Sequence, residues 1–537
     1  MFARVLKQTG LTAIIRPRGV VSTARCLSRG GSGPSAIFRI HGKNAPDRVA
    51  FRFDERAWSY GDVDRRIDRL SAGLEALGLR QRDSVLGILK NSPDVFVLGA
   101  AMSRLGGSAV SASWRSTAAE LEYLLTHSGA SAVFFEAELA TVVRDACVGA
   151  KIPLSRAFSV NGEVEGFMTL DSVLREPRKR TNDAREGAVV IYNSGTTGKP
   201  KGAVRRFATG QIEGFFSFIH DTPMRVDDRH LVVCPMYHST GLGFAGMALM
   251  LGGTVVIERE FDPLRFLQIV EREQITTTAL VPTLLHRLMS LDDETFAKAN
   301  TRSLRALFCG GAQLTGPLAI QTMKRLGPVL YNFYGATETG LVTLATPAEL
   351  AQAPGTIGHS LQGTSIRLLD ERGKEVSRGE VGELYAKNSM LVAGYHSDDS
   401  ATRSSMRDGY FSVGDLAMQD AHGLFHIVGR KRDMVISGGV NIYPVEVEEL
   451  IAAHASVSQV AVVGVPDAEW GERLRAFVVL RDGVDVSAHE LAQFARERLS
   501  RAKVPREWVF VGQLPSNPTG KILKRELQGY DGPVERG

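Results

Sequence analysis

The stretch VVIYNSGTTGKPKG, residues Val189–Gly202, joins a short apolar run to a loop rich in Gly, Thr and Lys. The apolar run predicts a buried β-strand that ends where the loop begins. Small residues let backbone N–H groups approach phosphate oxygens, the hydroxyls add donors, and Lys199 and Lys201 add positive charge. A Walker A loop would need Ser or Thr where Pro200 follows Lys199. Ser194–Gly202 is therefore predicted to be a phosphate-binding loop of another kind.

On both sides of this loop, helical patterns alternate with short apolar runs. A capping box at Ser59–Asp62 precedes apolar residues at helical spacing. The apolar run 84–89 predicts a strand, and Pro93 predicts the first turn of a helix that continues to Leu105. Alternation of this kind predicts an α/β fold in which helices cover parallel sheets.

The pattern changes twice towards the C-terminus, which predicts further structural units. From about residue 356, short strands with Gly-rich turns replace the alternation, and from about residue 433 a smaller α/β pattern begins. We therefore expect a large N-terminal domain, 46–430, that consists of helix-covered sheets and a small β-barrel-like subdomain. A small, mobile C-terminal α+β domain is expected over 433–530, after a charged join at Gly429–Asp433.

Residues 1–45 are predicted to form a basic N-terminal extension. This segment contains no Asp or Glu but carries several Arg and Lys residues. The composition resembles a mitochondrial transit peptide, although a basic segment that lies on a membrane surface fits it as well. The expected location is cytoplasmic, with peripheral membrane contact left open, and the mitochondrial matrix is the alternative.

Composition argues against several classes of protein. The chain has 537 residues, a net charge of +5 and no run of Lys and Arg with interleaved aromatic residues, so nucleic-acid binding is not expected. Its four cysteines form no CxxC pair and no Cys/His cluster, which argues against a disulfide framework and a zinc site. No apolar run is long enough to span a bilayer. The sequence does not indicate an oligomeric state.

Five further segments carry glycine, acidic or basic residues in a recognisable order. Together with Tyr192–Gly202, they resemble motifs of the superfamily that contains AMP-forming acyl-CoA synthetases, luciferases and the adenylation domains of peptide synthetases. The motifs follow the family's order over nearly the whole chain. The further segments are Tyr334–Glu338, Tyr410–Asp415, Gly429–Asp433, Ser437–Pro444 and Pro518–Lys521.

The resemblance implies a ligase that uses ATP and Mg²⁺ to activate a carboxylic acid and then transfers the acyl group to coenzyme A. The acid would form an acyl-adenylate, pyrophosphate and AMP would be released, and acyl-CoA would be the product. Many aromatic and aliphatic residues in 207–218 and 244–250 favour an apolar acid. A medium- or long-chain fatty acid is expected, with aryl or bulky ring acids left open. Transfer of the acyl group to a carrier protein is the alternative.

The resemblance also assigns roles to individual residues. Lys521 would bridge the carboxylate and the α-phosphate, and Thr337 would donate a hydrogen bond to the α-phosphate. Glu338 and Thr196 would hold Mg²⁺, and Asp415 would accept hydrogen bonds from the ribose hydroxyls. The full set of predicted nucleotide contacts is Ser194, Gly195, Thr196, Thr197, Gly198, Lys199, Pro200, Lys201, Gly202, Gly311, Ala312, Asn332, Tyr334, Gly335, Thr337, Asp415, Arg430 and Lys521.

Three further assignments concern the acid, coenzyme A and the hinge between domains. His238, with Gly310 and Gly311, would line the acid pocket, although a packed core histidine is the alternative for His238. Gly439 would leave room for the pantetheine arm of coenzyme A. Arg432 occupies the hinge position, where the family usually has Lys or Asp, and this departure leaves the energetics of the hinge open.

A competing motif points to a different cofactor. Gly241–Gly246 matches the GxGxxG fingerprint of dinucleotide-binding folds. The first glycine of that fingerprint belongs at a strand end, whereas several residues separate Gly241 from the apolar run 231–234. These glycines are therefore predicted to be small residues in a helix beneath the acid pocket, and NAD binding is not expected.

Overall fold

The structure, a computed structural model of the chain, describes residues 2–14, 16–28, 33–177, 188–193, 201–206, 209–392, 394, 399–516 and 522–537. Most of the predicted phosphate loop, Ser194–Pro200, lies outside the described residues. The predicted catalytic residue Lys521 lies outside them as well.

Helices and short strands alternate along the described residues. The α-helices are α1 (Phe2–Thr9), α2 (Leu11–Ile14), α3 (Pro17–Ser28), α4 (Pro34–Asn44), α5 (Tyr60–Ala76), α6 (Pro93–Leu105), α7 (Ala118–Ser128), α8 (Ala140–Gly149), α9 (Leu170–Val173), α10 (Thr209–His220), α11 (Ser239–Met250), α12 (Pro263–Arg272), α13 (Pro282–Met289), α14 (Asp293–Lys298), α15 (Gly316–Leu326), α16 (Pro347–Gln352), α17 (Asp399–Ser405), α18 (Pro444–Ala452), α19 (Ala488–Arg496) and α20 (Lys524–Gln528). In the part of the chain that the structure describes, no helix is both long enough and apolar enough to cross a membrane.

The strands belong to four sheets. They are β1 (Val49–Phe53), β2 (Arg56–Ser59), β3 (Ser84–Ile88), β4 (Ser108–Ser111), β5 (Ala130–Glu136), β6 (Ala157–Val160), β7 (Met168–Thr169), β8 (Ala188–Asn193), β9 (Lys201–Arg206), β10 (Arg229–Val232), β11 (Thr254–Ile257), β12 (Thr277–Leu280), β13 (Ala306–Gly310), β14 (Leu330–Ala336), β15 (Gly340–Ala345), β16 (His359–Ser360), β17 (Ser365–Leu369), β18 (Gly382–Lys387), β19 (Met406–Arg407), β20 (Tyr410–Phe411), β21 (Asp415–Gln419), β22 (Phe425–Arg430), β23 (Val435–Ser437), β24 (Val440–Ile442), β25 (Val457–Asp467), β26 (Gly471–Leu480), β27 (Glu507–Phe510) and β28 (Glu535–Arg536).

Two mainly parallel sheets form the N-terminal domain. The nine-stranded sheet has the order β16-β15-β14-β13-β12-β10-β11-β1-β2, and its strands from β14 to β1 are parallel. The seven-stranded sheet has the order β7-β6-β5-β3-β4-β8-β9, with the antiparallel strand β9 at its edge. Helices alternate with these strands along the chain, so the predicted α/β fold class is confirmed.

Local sequence signals account for where several helices begin. Ser59 forms the predicted capping box at the start of α5, and Thr117 forms a second one at the start of α7. Pro93 occupies the first turn of α6, which ends before Gly106 in the left-handed conformation. Gly241–Gly246 lies inside α11, as predicted, so these glycines do not form a strand-end fingerprint.

A buried network of charges fastens α4 to α5 and α6. Arg104 donates a hydrogen bond to Asp68 at 2.7 Å and also binds Asp64. Arg39 donates to Asp68 at 2.6 Å, and the side chain of Arg104 is fully buried. Because each buried charge has partners of opposite sign, loss of one arginine would leave buried carboxylates uncompensated.

The N-terminal residues pack against this domain. Val5 of α1 and Phe38 of α4 are fully buried in the core that joins both sheets. Gln8 Nε2 donates a hydrogen bond to the backbone oxygen of Thr222 at 2.8 Å. Residues 34–44, assigned above to a basic extension, therefore form a helix whose apolar side belongs to the domain core.

Two smaller units complete the chain. Strands β17 to β22 form a six-stranded antiparallel sheet at the place predicted for the β-barrel-like subdomain. The C-terminal unit combines α18, α19 and α20 with a sheet of β23 to β28, and the fully buried Trp508 lies in its core. The 3₁₀ turn Lys431–Asp433 lies between these units.

Candidate active site

The predicted site residues cluster beyond the carboxyl ends of parallel strands in the nine-stranded sheet. His238 follows β10, Gly310–Ala312 lies at the end of β13, and Tyr334–Glu338 lies at the end of β14. Parallel strands place these ends at one edge, and Gly310 pairs in register with Phe333. Ligands of open α/β sheets bind at this edge. The fold therefore brings three segments that are distant in sequence to one place.

The turn between β14 and β15 holds a buried carboxylate, because Glu338 is only 8% exposed. Inside the turn, the N–H of Ala336 donates to Thr339 Oγ1 at 3.0 Å. The N–H of Val392 donates to the backbone oxygen of Glu338 at 2.9 Å. Carboxylate oxygens are the donors that Mg²⁺ prefers, so the predicted role of Glu338 as a magnesium ligand fits the chemistry of this residue.

Asp415 links this turn to the antiparallel subdomain. The hydroxyl of Tyr334 donates to Asp415 Oδ2 at 2.8 Å, and Arg430 Nε donates to Oδ1 at 3.0 Å. Asp415 and Arg430 face each other across β21 and β22. Burial, together with the charge of Asp415, raises the pKa of Tyr334 well above its ordinary value, so the phenol remains a donor. Among the described residues, Tyr334 and Arg430 thus hold one carboxylate oxygen each, which leaves lone pairs of both oxygens for a ligand hydroxyl.

His238 precedes α11 in the loop that follows β10. Burial lowers the pKa of His238 to about 4, so the imidazole is neutral near pH 7. Its Nε2 is buried and has no hydrogen-bond partner among the described residues. By contrast, His230 is a packed core histidine whose Nδ1 lies 3.0 Å from Thr277 Oγ1. The buried Nε2 without a described partner distinguishes His238 from this packed histidine, and its place in the acid pocket stays a prediction.

Gly310 and Gly311 bring the end of β13 close to its neighbours. A Cβ on Gly310 would lie 2.4 Å from the backbone oxygen of Phe333, which leaves no room for any side chain. A Cβ on Gly311 would lie 3.6 Å from Thr240 Oγ1, next to the loop of His238. The glycine pair therefore lies between the His238 loop and β14, where the acid pocket is predicted.

Four buried phenylalanines pack together beside this glycine pair. The ring centroid of Phe244 lies 4.9 Å from those of Phe308 and Phe333. Phe218 of α10 is 5.6 Å from Phe244 by the same measure. The rings come from α10, α11, β13 and β14 and form one buried cluster, called here the aromatic wall, next to Gly310.

The remaining predicted nucleotide contacts have different surroundings. Asn332 is 2% exposed, and its Nδ2 donates to the backbone oxygen of Thr356 at 2.7 Å, so its amide supports the fold. Ala312 is exposed at the surface, and Lys201 and Gly202 begin β9. The predicted roles of these residues in nucleotide binding stay predictions.

The hinge residue Arg432 lies at the join to the C-terminal domain. Its neighbour Lys431 is bound to the subdomain, because Lys431 Nζ donates to Glu383 at 3.0 Å and its N–H donates to the backbone oxygen of Gly414 at 2.9 Å. Arg432 itself is half-exposed, and its Nε lies 3.5 Å from Asp433 Oδ1. A rotation that begins at residue 432 would leave the contacts of Lys431 intact, and the hinge role of Arg432 stays a prediction.

Gly439 lies at the tip of the β23–β24 hairpin. Its φ is +79°, in the left-handed region that favours glycine, and an added Cβ would meet no atom of the described residues within 4 Å. The adjacent Gly438 packs under the ring of Trp470, to whose backbone oxygen it donates at 2.8 Å. The guanidinium carbon of Arg506 lies 5.2 Å from the centroid of that ring. The hairpin tip therefore combines open space with an aromatic ring and a positive charge.

Two known protein families match long stretches of this chain. The family described as AMP-binding enzyme matches residues 38–396, and the AMP-binding enzyme C-terminal domain matches residues 446–521. The chain belongs to the AMP-binding enzyme family. The family match begins inside α4, in agreement with the packing of that helix in the core.

Relatives in this family have several different acids in their names. The feruloyl-CoA synthase of Amycolatopsis sp is 34% identical over 487 residues, which cover 90% of this chain and 96% of that protein. The indoleacetate–CoA ligase of Aromatoleum aromaticum is 31% identical over 499 residues, 91% of this chain and 96% of that protein. The long-chain-fatty-acid–CoA ligase FadD13 of Mycobacterium tuberculosis is 31% identical over 481 residues, 88% and 92% of the two chains.

Solved structures of the family have the same fold. ATP-bound MatB from Rhodopseudomonas palustris superposes with a TM-score of 0.84 at 28% identity, over 93% of this chain and 98% of that chain. The o-succinylbenzoate CoA synthetase MenE from Bacillus subtilis, in complex with an acyl-adenylate, gives a TM-score of 0.81 at 25% identity, with the same coverage. The predictions of this superfamily, of its fold class and of an AMP-forming acid–thiol ligase are confirmed.

Some features of this AMP-binding enzyme were not found from its sequence. The hydrogen bond from Tyr334 to Asp415 joins two motifs that the sequence shows only as separate signatures. Gln313 Nε2 donates to Glu449 Oε1 at 2.9 Å and so connects the two domains. Asn91 binds the backbone of the opposite sheet. The Asn-Ser-Pro sequence after a strand is the available signal for Asn91, although Pro93 in it equally predicts the first turn of a helix.

Proposed function

We propose that the chain activates an apolar carboxylic acid, with a compact ring-bearing acid preferred, as an acyl-adenylate and transfers the acyl group to coenzyme A. The proposal rests on three elements that meet at one sheet edge. They are the Glu338 turn, the Tyr334–Asp415–Arg430 cluster and the His238 loop. These elements provide a cation ligand, a ribose-binding carboxylate and an acid pocket that adjoin one another, as ATP-dependent acid activation requires.

In the first step, a carboxylate oxygen of the acid attacks the α-phosphorus of ATP. The bond from this phosphorus to the oxygen that bridges to the β-phosphate breaks, and pyrophosphate leaves. Asp415 accepts hydrogen bonds from the ribose hydroxyls and so fixes the nucleotide relative to the acid. Thr337 donates to the α-phosphate, and Lys521 stabilises the negative charge that develops there. Glu338, with Thr196, would hold Mg²⁺, which neutralises phosphate charge when bound.

In the second step, the sulfur of coenzyme A loses its proton to solvent and attacks the acyl carbonyl carbon. The bond from this carbon to the phosphate oxygen breaks, and AMP leaves. The C-terminal domain rotates at Arg432, withdraws Lys521 and brings the hairpin of Gly439 to the site. Gly439 leaves space for the pantetheine arm, while Trp470 and Arg506 provide an aromatic surface and a positive charge beside it.

The aromatic wall supports a compact acid rather than a long chain. Phe218, Phe244, Phe308 and Phe333 are buried and already pack against one another, so an extended acyl chain would have to displace them. Aromatic rings also favour offset or edge-to-face contact with a planar ring. The sequence-based expectation of a fatty acid stays a prediction. The experiment described next tests it with octanoate and palmitate.

The experiment compares ferulate, indole-3-acetate, octanoate and palmitate as substrates of the full chain with Mg-ATP. Release of pyrophosphate is measured with the acid alone, and release of AMP is measured after addition of coenzyme A. We expect both products, with a higher kcat/KM for a ring acid than for palmitate. A preference for palmitate would overturn the choice of acid. Acid-dependent pyrophosphate without coenzyme A-dependent AMP would favour transfer to a carrier protein instead.

A further inference from the structure

Asn91 follows β3 of the seven-stranded sheet, but its side chain binds the backbone of the nine-stranded sheet. Its Nδ2 donates to the backbone oxygens of Cys234, at 3.1 Å, and Glu258, at 3.0 Å. Its Oδ1 accepts the N–H of Met236 at 2.8 Å. Asn91 is 3% exposed, so these hydrogen bonds are made away from solvent.

This position requires the chemistry of a carboxamide. Both N–H groups of Asn91 and one lone pair of its oxygen are used at the same time. An aspartate of the same shape would place a carboxylate oxygen against two carbonyl oxygens. An alanine would leave two buried carbonyls and a buried N–H without these partners, which is unfavourable.

The backbone that carries Asn91 is itself held between the sheets. The N–H of Lys90 donates to Glu136 Oε1 at 3.0 Å. Lys90 Nζ pairs with Glu138 at 2.8 Å, beyond β5, and with Glu260 at 3.2 Å, beyond β11. Asn91 therefore reaches the opposite sheet from an anchored position.

The segment that Asn91 binds leads directly to His238. Met236, whose N–H is held, lies two residues before His238, and the N–H of His238 donates to the backbone oxygen of Pro235 at 3.2 Å. The loop is tight, because a Cβ on Gly241 would lie 2.6 Å from the backbone oxygen of Cys234. Displacement of Cys234 and Met236 would therefore move the imidazole.

We propose that Asn91 is a positioning residue for the acid: its carboxamide clamps residues 234–236 and so sets the place of the His238 imidazole in the pocket. The clamp follows from the geometry alone, whereas its effect on the acid rests on the proposed function, in which His238 contacts the acid. The carboxamide of Asn91 is buried against backbone groups, so its replacement acts on the pocket through the loop.

The test uses Asn91→Ala and Asn91→Asp in the full chain, with Tyr60→Phe as the matched control. The hydroxyl of Tyr60 is fully buried and lies 2.7 Å from the backbone oxygen of Gly253 and 3.2 Å from that of Leu249, at the other end of α11. Its loss removes buried hydrogen bonds to the same region without touching the His238 loop. A general loss of stability therefore affects all three variants.

The first measurement is hydrogen exchange of the peptide 234–241 without any substrate. The amide of Met236 should exchange faster in Asn91→Ala than in the wild type, and Tyr60→Phe should leave this peptide unchanged. Unchanged exchange at 234–241 in folded Asn91→Ala would overturn the clamp. This measurement needs no turnover, so it fails or succeeds independently of the proposed function.

The second measurement is steady-state kinetics with the most active acid among ferulate, indole-3-acetate, octanoate and palmitate. We expect both Asn91 variants to raise the KM for the acid about tenfold and to leave the KM for ATP within about twofold. Tyr60→Phe should raise neither constant. An equal rise of both constants, or a rise for Tyr60→Phe as well, would show a general structural effect and refute the positioning role.

Discussion

Tyr334→Phe removes one oxygen atom and thereby tests the proposed ribose site. In the native chain this hydroxyl donates to Asp415 Oδ2 at 2.8 Å, while Arg430 holds Oδ1 at 3.0 Å. The ring of phenylalanine fills the space of the tyrosine ring, so the carboxylate loses one donor while only the volume of one oxygen atom is vacated. Asp415 should then turn about its remaining contact and present its oxygens less accurately to the ribose.

The expected effect follows from the strength of this hydrogen bond. A hydrogen bond to a charged group contributes about 1.5–3 kcal/mol. Because Arg430 still holds the other oxygen, we expect the lower end, and about 1.4 kcal/mol corresponds to a tenfold change. Burial and the charge of Asp415 keep the pKa of Tyr334 well above its ordinary value, so the effect should be the same at pH 7 and pH 9.

The assay measures acid-dependent pyrophosphate release over a range of ATP concentrations. Tyr334→Phe should lower kcat/KM for ATP about tenfold. Tyr331→Phe is the control, because Tyr331 lies on the same strand with its ring 5.6 Å from Phe308. It should leave kcat/KM for ATP within about twofold. An unchanged value in Tyr334→Phe, or an equal fall in both variants, would refute the role of the Tyr334 hydroxyl.

Three further predictions follow from buried groups and from the contact between domains. Arg104→Met should lower the free energy of unfolding, measured with urea, by about 3–5 kcal/mol, since two buried aspartates lose a partner. Lys298→Met, at an exposed ion pair, is the control and should change it by less than about 1 kcal/mol. Equal effects would contradict the stabilising role of the buried charge network. The pKa of His238, lowered to about 4, lies below the value of about 6.5 in the unfolded chain. Its contribution to stability is therefore complete above pH 6.5 and is lost towards pH 4. His238→Gln should therefore reduce the fall of the thermal unfolding midpoint between pH 6.5 and pH 4, and an unaltered pH dependence of that midpoint would contradict this. Gln313→Ala removes the hydrogen bond to Glu449, which contributes about 1 kcal/mol. The rate of single-turnover thioester formation relative to adenylation should therefore rise about fivefold. An unchanged ratio of the two rates would show that this hydrogen bond does not restrain the rotation of the C-terminal domain.

The sequence predicts the type of each long element well but not which strands pair. The alternation of helices and apolar runs predicts parallel sheets, and capping boxes mark the starts of α5 and α7. However, Phe51 of β1 pairs with Val255 of β11, about two hundred positions away. A periodic pattern reports which face of an element is apolar and contains no information about its neighbour in the sheet.

The charged N-terminal segment illustrates the same limit. Its basic composition suggests an exposed extension, yet Arg39 donates to both Asp64 and Asp68 inside the domain. These partners lie 25 and 29 residues away along the chain, on the next helix. A net charge counted over a window cannot show such a pairing, because the compensating carboxylates belong to another window.

For the site, the motifs predict which residues are involved but not how they are held. Tyr334, Asp415 and Arg430 are each found from a signature, whereas their mutual contacts depend on how β14 meets β21 and β22. Asn91 is not found, because a buried asparagine at a strand end has the same local sequence as an exposed turn asparagine. Its function depends on the opposite sheet, which only the fold brings close.

The central claim, attack of a carboxylate on the α-phosphorus of ATP, is tested most directly by isotope transfer. The acid with the highest turnover is labelled with ¹⁸O in its carboxylate and incubated with the enzyme, ATP and coenzyme A, and the products are analysed by mass spectrometry. We expect one ¹⁸O atom in AMP and none in pyrophosphate. Label in inorganic phosphate with formation of ADP, or AMP without label, would contradict it.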